Sequence, residues 1–115
     1  MFDPEGKVGM NEILVVDDNP DSRMRTIKEL KSYGYQTSFL SDARYADNMI
    51  RSTRPGMVLV NRQPLRFDSY SLFLGIREKY PEIPVMLYAL KSDTGLKSLN
   101  QAVAMAFRER KASAR

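Results

Sequence analysis

The chain has 115 residues and a mass of 13.2 kDa, enough for one domain around a single core. It contains neither cysteine nor histidine, which excludes disulfide scaffolds, thiolate or imidazole zinc sites, and hydrolase chemistry built on a Ser–His or Cys–His pair. The net charge of +4 lies entirely in residues 91–115, six basic against two acidic, while residues 1–90 balance at twelve of each; without interleaved aromatic residues this reads as a solvated helix end, and no nucleic-acid binding is expected.

Residues 1–11 are polar, with Pro4, Gly6 and Gly9, and read as a flexible leader without a signal-peptide pattern. Glu12–Val16 is a short β-branched apolar run, hence a buried strand. Asp17-Asp18-Asn19-Pro20-Asp21 stops it, and Pro20 and Asp21 suit the first turn of a helix in which Met24, Ile27 and Leu30 follow at helical spacing and which Gly34 ends near Tyr33. Tyr35–Leu40 gives a second strand. Ser41 or Asp42 caps a helix carrying Ala43, Ala46, Met49 and Ile50. Pro55-Gly56 precedes Met57–Val60, a continuous apolar run that fits a strand buried on both faces. Asn61–Asp68 is a loop, about Ser69–Lys79 a helix with Leu72, Phe73 and Ile76 inside, and Val85–Ala89 a fourth strand. Thr94 caps a last helix whose inner face is Leu96, Leu99, Val103, Ala106 and Phe107. No apolar stretch reaches the roughly 20 residues that cross a bilayer, so a soluble, cytoplasmic protein that does not touch membranes is expected.

Strands and helices alternate throughout, which argues for an open, doubly wound parallel sheet of the α/β class. Ligands of such sheets gather at the carboxyl ends of the strands. The residues there are Asp17 and Asp18, Asn61, and Tyr88. Paired carboxylates with Asp21 nearby could hold a hard divalent cation such as magnesium; the same residues are equally at home in a turn and helix start. Spacing does not choose between them.

Ile13-Leu14-Val15-Val16-Asp17-Asp18-Asn19-Pro20 resembles the start of the receiver domain of bacterial two-component response regulators. Pro55-Gly56-Met57-Val58-Leu59-Val60-Asn61, ending 43 residues after Asp18, is similar to that family's third strand and phosphoacceptor position. Pro64, Phe67 and Asp68 fall where the family has its proline and Met-Asp-Gly turn, with Ser69 in place of glycine. Ile83-Pro84-Val85-Met86-Leu87-Tyr88-Ala89 is similar to its fourth strand. The resemblance spans about residues 12–90 and implies a flavodoxin-like fold over residues 12–110, with residues 111–115 as a basic tail.

The departures matter as much. The resemblance puts a phosphoacceptor aspartate where Asn61 stands, and a neutral carboxamide is a far weaker nucleophile than a carboxylate. It puts a serine or threonine switch at Tyr88, whose bulky phenol is not expected to turn inward as those do. Its Lys-Pro pair has no counterpart, since Lys111 is followed by Ala112. The C-terminal part is abbreviated, so a fifth strand is expected to be missing or altered. Arg62 is a candidate to reach Asp17 and Asp18 in place of a metal. The expected function is thus a degenerate receiver, not an enzyme, needing no cofactor and binding magnesium weakly if at all. It serves protein–protein interaction with a histidine-kinase-pathway component or another signalling protein, or with a second copy. The expected interaction surface is Val85, Leu87, Leu96, Leu99, Val103 and Phe107, because strand Val85–Ala89 becomes a sheet edge. Two alternatives are weighed against it: a working metal-binding receiver with an unorthodox acceptor such as Asp68, and a nucleic-acid module using the Arg108–Arg115 tail.

Overall fold

The computed structural model describes residues 12–89, 99 and 101–107. The leader, Thr94, Leu96, the residues beyond 107 and the basic tail lie outside the described residues. Strand β1 (Glu12–Val16) leads into helix α1 (Pro20–Ser32), then strand β2 (Gln36–Leu40). A short 3-10 turn (Ala43–Tyr45) runs into helix α2 (Ala46–Thr53), followed by strand β3 (Met57–Asn61), helix α3 (Ser69–Lys79) and strand β4 (Val85–Tyr88). Residues 101–107 are helical. The four strands form one parallel sheet in the order β2-β1-β3-β4. Among the described residues there is no fifth strand, and no helix is long and apolar enough to cross a membrane.

The ends of the helices follow from local chemistry. Pro20 occupies the first turn of α1, and the Asn19 side chain accepts from the backbone N–H of Asp21 and Ser22, satisfying donors that the helix leaves unpaired. Beyond its C-terminus Gly34 adopts φ +91, in the left-handed region where a Cβ is strained. The Asp42 carboxylate accepts from the Arg44 N–H and so starts the 3-10 turn. The Asp68 carboxylate caps α3 through the Ser71 N–H and hydroxyl.

Alternation along the strands divides the interior into two layers. Ile13, Val15, Met57 and Leu59 face Leu30 of α1 together with Leu99 and Val103. Leu14, Val16, Val58 and Val60 face Ile50 of α2 and Ile76 of α3. Every residue of β3 is buried, as a central strand covered on both sides requires.

Two expectations need correcting here. Met24 is 64% exposed: six residues from Leu30, it lies about 240° around a 3.6-residue turn and so off the inner face. The inner stripe runs instead through Ser22, Thr26 and Leu30, with Thr26 fully buried. Leu99 and Val103, expected on an interaction surface, are core residues at 6% and 0% exposure. Phe107 is partly buried and stacks on Tyr35 with ring centroids 5.3 Å apart. This stretch covers the sheet, because the layer over Ile13, Val15 and Met57 needs it to exclude water.

Candidate functional site

Chain order places β2 on one side of β1 and β3 on the other, so connections leave in opposite directions between β1 and β3 and open a crevice at their carboxyl ends. Asp17 leaves β1 into that crevice, Asn61 ends β3 and Tyr88 ends β4. All three are buried, Asp17 at 0% and the other two at 5% exposure. The fold therefore brings together three of the positions singled out in the sequence.

Asp17 is the hub. Its Oδ1 accepts from the Asn61 side-chain amide at 2.8 Å and from the Asn19 N–H at 2.9 Å. Its Oδ2 accepts from the Ser22 hydroxyl at 2.6 Å and from the Tyr88 hydroxyl at 2.5 Å. Four donors match the roughly four lone-pair sites of an ionised carboxylate. A buried charge is normally costly, and here charge-assisted hydrogen bonds replace its lost water. The carbonyl of Asn61 accepts from the Gln63 N–H at 2.9 Å, which fixes the amide with its nitrogen toward Asp17.

Tyr88 corrects an expectation. The phenol does turn inward, reaching from the last residue of β4 to the β1 end. Its size is what lets it span that gap, and its hydroxyl meets an anion that stabilises it as a donor. Burial, and then the hydrogen bond and negative charge of Asp17, push its ionisation well above the usual tyrosine range, with the Thr26 and Ser22 hydroxyls acting in the opposite direction. A raised pKa on an acid means stability that is complete below the unfolded value of about 10 and is lost as pH climbs beyond it. Melting temperatures measured across that alkaline range should fall more steeply for the parent than for Tyr88→Phe, which lacks the titrating group. Equal slopes would contradict this assignment.

Arg62 is also corrected. Its backbone N–H bonds to the Tyr88 carbonyl at 2.7 Å, but its side chain is exposed and forms no ion pair with Asp17 or Asp18 among the described residues. The Asn61 and Tyr88 donors already fill the space it was expected to enter. The guanidinium near the site belongs to Arg23, whose Nη1 donates to the Asp17 main-chain carbonyl at 3.2 Å. Asp18 turns away and accepts from the N–H groups of Leu65 and Arg66, both at 2.7 Å. Asp21 sits exposed on the first turn of α1 and joins neither carboxylate. Ser22 was missed from sequence. The available signal was a hydroxyl pair, Ser22 and Thr26, four residues apart on the stripe that leads to Leu30.

As arranged, these residues do not fit a magnesium ion. Magnesium needs free carboxylate oxygens and space for its waters. Both oxygens of Asp17 carry two donors, Asp18 is committed to the loop after β3, and Asn61 offers an amide nitrogen. Among the described residues no group of three acidic side chains gathers.

No family model matches the chain. It is 32% identical over 79 residues to the nitrogen assimilation regulatory protein NtrX of Azorhizobium caulinodans, a match covering 67% of this chain and 17% of that protein; the chain thus spans about a sixth of that relative's length. Among solved structures it is similar to the receiver domain of NtrX from Brucella abortus, with TM-score 0.72 and 24% identity over 84% of this chain and 98% of that one. It is also similar to the response regulator TrrA of Thermotoga maritima, solved in complex with Mg2+-BeF, with TM-score 0.72 and 20% identity over 83% and 97% of the two chains. A signal receiver domain from Pseudomonas fluorescens superposes with TM-score 0.77 at 18% identity, covering 90% of each chain. The fold is that of response-regulator receiver domains.

Proposed function

We propose that this chain is a receiver-type signalling module that acts by binding other proteins and does not accept a phosphoryl group. The observation that carries this reading is the Asn61 carboxamide donating to Asp17 from the end of β3. Phosphoryl transfer to a carboxylate requires an anionic oxygen to attack and a cation to balance the charge that accumulates. Here the would-be attacking group is neutral and hydrogen-bonded on both sides, and the Asp17 oxygens are occupied by protein donors. The similar TrrA structure holds Mg2+-BeF; in this chain the lone pairs that would hold such an ion are engaged by Asn19, Ser22, Asn61 and Tyr88. The Ser22 and Tyr88 hydroxyls of the crevice are both engaged as donors to Asp17, which supports a role in binding rather than in group transfer.

The alternative acceptor, Asp68, fits poorly. Its carboxylate serves the start of α3 through Ser71, whose backbone and side-chain donors hold its pKa below the usual range. A partner in a histidine-kinase pathway, or another signalling protein, is the fitting class of binding target for such a module.

Incubation with acetyl phosphate or phosphoramidate and magnesium should leave the intact mass unchanged by mass spectrometry. An added phosphate that disappears in Asn61→Ala would overturn the reading.

A further inference from the structure

The two edges of the sheet differ in kind. β2 is polar, with exposed Gln36 and half-buried Thr37 and Ser38, and the ring of Phe39 lies under the Arg23 guanidinium at 4.7 Å. β4 is Val-Met-Leu-Tyr, with no charge and no proline within it, and among the described residues no strand lies beyond it. An apolar edge without such protection is a template for pairing.

The hydrogen-bond phase of β4 says what fits. The Val58 N–H bonds to the Pro84 carbonyl at 2.9 Å, and the Arg62 N–H to the Tyr88 carbonyl at 2.7 Å; Val58 stands opposite Val85 and Val60 opposite Leu87. In a parallel ladder alternate residues bond to the neighbour. Even-numbered residues of β4 therefore turn their peptide groups to β3, and Val85 and Leu87 turn their N–H and C=O outward.

We infer that β4 pairs with β4 of a second copy of this chain, antiparallel about a two-fold axis at Met86. A two-fold axis normal to a sheet makes adjoining strands antiparallel. With Met86 opposite its copy, Val85 meets Leu87 of the other chain and Leu87 meets Val85. Each of these pairs exchanges two backbone bonds, so four form in all, and every outward group of Val85 and Leu87 is used. The edge is thus complementary to itself, and two four-stranded sheets become one of eight. The groove along the edge is lined by Phe73, Arg77, Pro81 and Val85 on the side of α3 and by Met86 and Ala106 on the other face, and pairing brings it against its own copy. The earlier expectation of a dimer through this strand is retained, but Leu99 and Val103 are excluded from the contact by their burial. The inference does not depend on chemical inertness at Asn61, since pairing uses the far edge of β4.

Sedimentation velocity on the whole chain, from micromolar to near-millimolar concentration, should show reversible dimerisation. Leu87→Pro removes an outward N–H and no bond to β3, at an edge position where proline is tolerated. It should weaken the dimer about 10- to 100-fold, from two lost bonds. Because proline also restricts the backbone of the strand itself, Met86→Cys gives an independent reading. The chain has no other cysteine, and facing residues of a non-hydrogen-bonded antiparallel pair have Cα atoms about 4.5 Å apart, within disulfide reach. Mild oxidation should produce a covalent dimer from Met86→Cys and much less from Val85→Cys or Leu87→Cys. A chain that stays monomeric at all concentrations overturns the pairing, as does crosslinking at position 85 or 87 in preference to 86. Neither result touches the phosphate-uptake reading, which the mass measurement decides separately.

Discussion

Asp17→Ala is expected to lose about 3–5 kcal/mol of stability, measured as the fall in urea midpoint, because it strips the acceptor from four donors at once. Two of those donors, the Asn61 amide and the Tyr88 hydroxyl, come from residues only 5% exposed, so water cannot readily replace the carboxylate. Against a total of about 5–15 kcal/mol for a domain of this kind, the variant sits near the threshold of folding. Asp18→Ala is the control. It removes two bonds rather than four, both to N–H groups of exposed Leu65 and Arg66, where water substitutes, and about 1 kcal/mol is expected. Equal effects from the two substitutions would mean that the Asp17 network contributes nothing special.

Asn61→Asp tests the same network from the other end. The new carboxylate oxygen would stand where the amide nitrogen now lies 2.8 Å from Asp17 Oδ1, and two anions at that distance cannot both stay ionised. One of the pair is pushed up in pKa, and a rise of about two pH units costs about 3 kcal/mol at neutral pH. The sign follows from linkage: the folded variant binds a proton that the unfolded chain releases, so its stability should increase as pH falls from about 7 to 4, where the parent has no such pair. Millimolar magnesium should restore much of the loss by supplying the missing positive charge. Thermal melts with magnesium and with EDTA measure both effects. A variant as stable as the parent in EDTA would show that the Asn61–Asp17 contact does not govern the site.

How far the sequence reaches is clear from particular residues. Glu12–Val16 and Met57–Val60 were legible because short, largely apolar runs next to Asp or Pro-Gly signals leave little but a buried strand. The inner crevice was legible as a place, since the carboxyl ends of parallel strands converge there. The direction of Tyr88 was not. Judging it by size alone missed that a long phenol can do from β4 what a short hydroxyl cannot, namely bridge to the end of β1. Arg62 misled for a related reason: adjacency to Asn61 in sequence means opposite faces in a strand that is just ending, so its side chain left the crevice that Asn61 entered. Ser22 lay hidden within a helix start, where serine is commonplace and only the stripe with Thr26 and Leu30 tells it apart.

The Asp18 carboxylate spans two consecutive peptide groups of the loop between β3 and α3, and that loop holds Leu65, 63% exposed, between the exposed Arg62 and Arg66. Apart from Phe67, which packs against the core, this surface segment buries little of its own and is thereby anchored to the exit of β1. The peptide groups that carry its apolar tip are thus held in place, while the exposed Arg62 and Arg66 side chains keep their rotamer freedom. Little backbone ordering entropy is then left to oppose a contact made on this side.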